Sequence, residues 1–157
     1  MAEAGAVRVA VQAADFDLAA EAAWLEATGA GAVVTFTGLV RDVAGGLRHM
    51  ELEHYPGMTE RALADHAAAA MARWPLEAVT VIHRHGRLGP GERIMMVGCA
   101  SRHRAAAFEA ADFLMDWLKS RAPFWKKEVT ADGAAWVEAR AEDEAALARW
   151  GGDPSAR

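Results

Sequence analysis

The stretch Leu118-Lys-Ser-Arg-Ala-Pro-Phe-Trp-Lys-Lys-Glu128 closes a long helical pattern and opens an alternating one. Ser101 is placed to cap that helix, which runs to about Ser120. Pro123 then forbids its continuation and pushes Ala122 toward extended backbone. Residues 124–130 and 135–139 follow as a hairpin, with Asp132-Gly133 at its turn. The same stretch holds all three lysines of the chain, Lys119, Lys126 and Lys127, against fourteen arginines elsewhere and within it. Arg serves wherever a permanent charge or a fork of donors is enough. Lys alone can lose its proton near neutral pH, if burial or a neighbouring cation lowers its pKa. On composition alone, three solvated lysines on a helix end and a strand fit equally well.

Working outward, residues 7–12 alternate like a short strand, and Asp17 caps a helix whose Leu18, Ala22 and Leu25 share a face. Residues 32–40 are β-branched and apolar, and a loop follows at 42–46. Residues 47–55 put Met50, Leu52 and His54 on one side and Glu51, Glu53 and Tyr55 on the other. Thr59 is the expected cap of the next helix, with Met58 and Leu63 as a hydrophobic staple, and Leu63, Ala67, Met71 and Trp74 as its stripe. Residues 78–84 and 93–101 read as strands, and 142–150 as a terminal helix with an acidic first turn suited to its dipole. No repeat or linker divides the chain. The expectation is one α+β domain over residues 1–150, with a mainly antiparallel or mixed sheet, and a flexible tail at 151–157.

The net charge of −5 argues against a general nucleic-acid binder, so a local basic patch points to a confined anionic ligand or an acidic partner. Cys99 is the single cysteine, which excludes an intramolecular disulfide and a cysteine metal cage; its apolar run marks it as a buried, inert thiol. The first residues lack the pattern of a signal peptide and no run approaches a membrane span, so a cytoplasmic location is expected.

Two regions carry candidate chemistry. Arg102-His103-Arg104 sits where the long helix should begin, and cations there oppose the helix dipole unless an anion joins them. At the other end, a fold-back at Pro123 lets Lys119 and Lys126 meet, each lowering the other's pKa, with Phe124 and Trp125 as an apolar wall. His103 and Lys119 are sixteen residues apart, roughly 24 Å along a straight helix. One small ligand cannot touch both, so the ends are either two sites or halves of composite sites in a symmetric dimer. Arg41 ends an apolar strand beside a Gly-rich loop, a natural place for a substrate-facing cation. His83 and His85 lack a third metal ligand at useful spacing, and His54 reads as a core or interface histidine.

Phe36-Thr-Gly-Leu-Val-Arg41, Leu52-Glu-His-Tyr-Pro-Gly-Met58, Val81-Ile-His-Arg84, Ser101-Arg-His-Arg104, Leu118 to Glu128 and Trp136-Val-Glu-Ala139 closely resemble the large, catalytic subunit of molybdopterin synthase. The resemblance runs from about residue 7 to Trp150; His85 departs from it, where an aliphatic residue is expected. It implies an α/β hammerhead domain with an additional antiparallel β subdomain. It implies a sulfur transferase of molybdenum cofactor biosynthesis that converts cyclic pyranopterin monophosphate to molybdopterin, with no metal and no resident cofactor. The implied sulfur donor is the C-terminal Gly-Gly thiocarboxylate of a small ubiquitin-like partner subunit, in a heterotetramer built on a homodimer of the large subunit. By position, Lys119 and Lys126 match the family's catalytic lysines, and Arg41, His103 and Arg104 its substrate-binding positions. Lys127 and Glu128 fall at the pocket edge. A non-catalytic phosphate-binding or docking module, or a Schiff-base lysine enzyme, would require neither the Pro-Gly-Met nor the Pro-Phe-Trp-Lys segment.

Overall fold

Two strands of the chain are buried on both faces, and the rest is arranged around them. The computed structural model describes residues 6–138 and 141–151. Its elements are β1 (Ala6–Gln12), α1 (Leu18–Glu26), β2 (Ala32–Leu39), β3 (Leu47–His54), α2 (Met58–Arg73), β4 (Leu76–Arg84), β5 (Gly86–Leu88), β6 (Arg93–Ser101), α3 (Arg104–Ser120), β7 (Phe124–Thr130), β8 (Gly133–Val137) and α4 (Ala141–Ala148). One sheet has the order β1-β4-β6-β2, with β1 parallel to β4 and the other pairs antiparallel. The second is antiparallel throughout, in the order β5-β3-β7-β8. The chain is thus α+β, with a mixed sheet and an added antiparallel one.

β4 and β6 are the central strands, and near-continuous apolar runs suit such a place. Val79, Val81, Val97 and Cys99 face one way, into the main core with Leu63 and Ala67 of α2 and Phe113 and Leu114 of α3. Ala78 and Ala100 face the other way, against Leu25 of α1. Met50, Leu52 and Leu88 of the second sheet join the main core, so both sheets share it. Among the described residues no helix is long and apolar enough to cross a membrane.

The local rules hold in part. Asp17 caps α1, accepting from the Ala20 N–H at 3.0 Å. Two other expected caps do something else. Ser101 ends β6; its hydroxyl donates to the Pro75 carbonyl at 3.1 Å, and α3 starts at Arg104 after His103. Arg102 and His103 therefore precede the helix rather than forming its first turn. Gly57 is the N-cap of α2, at φ +82°, a conformation that glycine takes without strain. Thr59 is fully buried: its hydroxyl accepts the Tyr55 N–H (3.0 Å) and donates to the Pro123 carbonyl (3.4 Å), tying α2 to the end of α3. Met58 is exposed, so there is no staple with Leu63. β5, which pairs with β3, was not expected at all. β8 ends at Val137, short of the expected Ala139, which lies outside the described residues, as do residues 152–157 of the expected tail.

A Cβ on Gly98 of β6 would overlap the Leu25 side chain, so α1 sits as close to the sheet as a bare backbone permits. Gly98→Ala should cost about 1–3 kcal/mol in urea unfolding, as overpacking does. Combined with Leu25→Ala, the loss should be smaller than the sum of the single losses, because the two side chains compete for one volume. Full additivity would show that they do not.

Candidate active site

The corner after α3 brings the lysines together. The N–H groups of Arg121 and Ala122 both donate to the Trp117 carbonyl, at 2.7 and 3.2 Å, and close the helix. The Phe124 N–H then reaches back over Pro123 to the Ala122 carbonyl at 2.8 Å. The chain reverses within these few residues and enters β7 as the partner of β3, with Phe124 opposite His54, Lys126 opposite Leu52 and Glu128 opposite Met50. Strand alternation puts Phe124, Lys126 and Glu128 on the inner face.

Lys126 is half-buried there, and its pKa falls from 10.5 to about 8. Burial is the largest cause and the Lys119 charge the next; Asp143 and Glu128 oppose the shift, and Arg41 adds to it. The Lys119 side chain, in the last turn of α3, stays exposed. Arg41 follows Val40, whose backbone is bonded on both sides, to the Glu92 carbonyl (2.9 Å) and from the Gly91 N–H (2.8 Å). Asp42 closes the next loop by accepting from Leu47 and Val43 N–H groups at 2.6 and 2.9 Å, which hold its carboxyl below the usual range. A shallow groove of about 390 Å³ runs between Val43–Ala44 and the β7–β8 hairpin and reaches Glu128.

Lys119, Lys126, Arg41 and Glu128 thus form one electrostatic neighbourhood. Lys127 points to the other face of the sheet, 3.3 Å from Glu51 and over the Trp136 ring at 5.2 Å. Glu51 is also 3.1 Å from His49 and 3.7 Å from Arg87. Hydrogen bonds from His49 and then Lys127 hold its carboxyl below the usual range. His103 and Arg104 lie exposed at the far end of α3, about 24 Å from Lys119 along the axis.

Two neighbours of the lysines carry little signal in the sequence. Buried His83 stacks on Phe124, with ring centroids 3.7 Å apart and planes 17° apart. Asp143, in the first turn of α4, is near enough to Lys126 to raise its pKa. Glu144 of that turn accepts from Arg121 at 2.6 Å, so α4 is anchored beside the corner. His54 packs against His85, with centroids 4.2 Å apart. Even so, no group of three or more His, Cys, Asp or Glu among the described residues is placed to hold a metal ion.

A family model described as MoaE protein matches residues 11–121. The molybdopterin synthase catalytic subunit of Cereibacter sphaeroides is 66% identical over 146 residues, covering 92% of this chain and 100% of that one. The chain belongs to the MoaE family, that of molybdopterin synthase catalytic subunits. It is an enzyme subunit of molybdenum cofactor biosynthesis. Solved MoaE structures repeat the fold. A molybdopterin biosynthesis MoaE protein from Burkholderia ambifaria has a TM-score of 0.81 at 51% identity, covering 94% of this chain and 99% of that one. Molybdopterin synthase from Staphylococcus aureus has a TM-score of 0.76 at 28% identity, covering 81% and 94%.

The electrostatics predict a titration. Followed by NMR of isotopically labelled lysine, Lys126 should lose its proton near pH 8. Lys119→Met should move that midpoint up toward 10.5, and Asp143→Asn should move it below 8. Between pH 8 and 10.5 the unfolded chain holds this proton more tightly than the folded one. The group's contribution to stability therefore rises with pH through that window. A midpoint that ignores Lys119→Met would show that the two charges do not interact.

Proposed function

We propose that this chain transfers sulfur to cyclic pyranopterin monophosphate, producing molybdopterin, and takes that sulfur from the C-terminal thiocarboxylate of a small ubiquitin-like partner subunit in the cytoplasm. The observation that carries the reading is the half-buried Lys126 in the strand after the Pro123 corner, its pKa lowered to about 8 by burial and then by the Lys119 charge. Two adjacent ammonium groups repel each other when the site is empty and are relieved when an anion arrives. A thiocarboxylate is such an anion. As the thiocarboxylate sulfur bonds to a substrate carbon, the cyclic phosphate ring opens and negative charge develops on the leaving oxygen; water then cleaves the acyl–sulfur bond, which leaves the sulfur on the substrate and returns the carrier as a carboxylate. Lys119 and Lys126 position the thiocarboxylate and stabilise the developing charge, and Lys126, whose proton is the more loosely held, can also move a proton.

The substrate is a flat pterin with a cyclic phosphate, so it needs cations and an apolar wall. Arg41 supplies a cation at the lysine end, and Glu128 borders the groove. Lys127, engaged by Glu51 on the opposite face, contributes from outside the pocket. His103 and Arg104 are too far along α3 to reach the same molecule within one subunit. They serve the site of the opposite subunit in a homodimer, which becomes a heterotetramer once each large subunit binds a small one.

The test combines the purified chain, a thiocarboxylated carrier and cyclic pyranopterin monophosphate, with an assay for the dithiolene product. Lys119→Ala should lower turnover by about 10²–10³-fold or more, the scale of losing a charge-stabilising group, while leaving carrier binding nearly intact. Near-normal turnover would remove Lys119 from the mechanism. The composite site makes a separate prediction: Lys119→Ala and Arg104→Ala chains, each impaired alone, should recover activity when co-assembled. Failure of mixed dimers to exceed either parent would confine each site to one subunit.

A further inference from the structure

The stack of His83 on Phe124 joins the central strand of the first sheet to the strand that carries Lys126. His83 is on β4, on the face of Val79 and Val81, and only 5% exposed. Its Nδ1 lies 2.7 Å from the Arg84 carbonyl, so Nδ1 carries the hydrogen and donates it, which fixes both the tautomer and the rotation of the ring. Phe124 begins β7, shares a face with Lys126 two residues on, and lies nearly flat on the imidazole. Fixing the Phe124 plane fixes where β7 starts, and with it the path of Lys126.

A histidine is a costly choice for a purely apolar contact, because burying its polar atoms disfavours folding unless each is bonded. We infer that His83 is a positioning residue for Lys126, acting through Phe124 as a rotationally locked plate against the start of β7. The inference rests on the proposed role of Lys126. Burial, and then Lys126, Lys119 and His54, lower the His83 pKa to about 3 against the Arg84 hydrogen bond, so the ring stays neutral at working pH. The other charged groups that act on Lys126 are Arg41, Glu128 and Asp143. His85 packs against His54 and is also influenced by Glu60.

The experiment compares His83→Leu, His83→Phe and Phe124→Leu in the full-length chain by lysine NMR titration, steady-state kinetics with the thiocarboxylated carrier, and thermal unfolding. In His83→Leu, Lys126 should titrate above its midpoint of about 8, because a strand that is no longer held exposes the amine. kcat should fall about 10–100-fold, the scale of a misplaced catalytic group, with the KM for the carrier changing by less than about threefold. His83→Phe restores a flat ring without the hydrogen bond that locks it, and should recover both readouts part of the way from His83→Leu toward the parent. Phe124→Leu should reproduce His83→Leu, and the double variant should lose no more than either, as expected of two residues acting as one unit. A Lys126 midpoint unchanged in both His83→Leu and Phe124→Leu overturns the inference whether or not the parent is active. So does a loss of kcat that His83→Phe leaves unrepaired while restoring thermal stability. A parent that makes no dithiolene would instead count against the proposed sulfur transfer, and the titration would still decide the role of His83.

Discussion

Two ammonium groups that repel each other are held together at the end of α3, and much of the molecule opposes their separation. Lys119 rides on a helix whose apolar face is seated in the main core, and Lys126 on a strand locked between β3 and β8. Neither backbone can retreat without unpacking something. The repulsion is expressed chemically instead, as a lysine whose proton is loosely held. A site of this kind needs a rigid frame more than it needs many functional groups.

The frame begins with β4 and β6, buried on both sides, and with glycine at position 98, which lets α1 approach closely. Those strands fix α3 on one face, and α3 delivers the corner at residues 121–124. Thr59 binds that corner from α2 while the Phe124 ring meets His83 from β4. The site is thus assembled from segments distant in sequence, each anchored in the shared core.

Much of this was legible in the residues. The β-branched and apolar runs marked the strands, Pro123 marked the end of α3, and the confinement of lysine to one stretch marked the candidate chemistry. The errors came from side chains with two uses. Ser101 and Thr59 have the chemistry of helix caps, yet their hydroxyls serve carbonyls brought up by the tertiary fold, Pro75 and Pro123. β5 is three residues long and exists only because β3 lies beside it. The influence of Asp143 on Lys126 crosses seventeen positions and depends on how α4 docks. The acidic start of α4 was readable only as a match to its own dipole.

The geometry of α3 has an evolutionary consequence. The helix works as a ruler: its length sets the separation between His103 and Lys119, and its pitch sets the direction in which each points. Losing one residue would shorten the span by only about 1.5 Å, yet would rotate everything beyond it by about 100°. Lys119 would swing away from Lys126, and the apolar face would leave the core. Exposed positions along α3, such as Ala105 and Phe108, are freer to drift in composition. The number of residues between the two ends is not, so sequence divergence in this region should proceed by substitution, with insertions and deletions displaced to the loops.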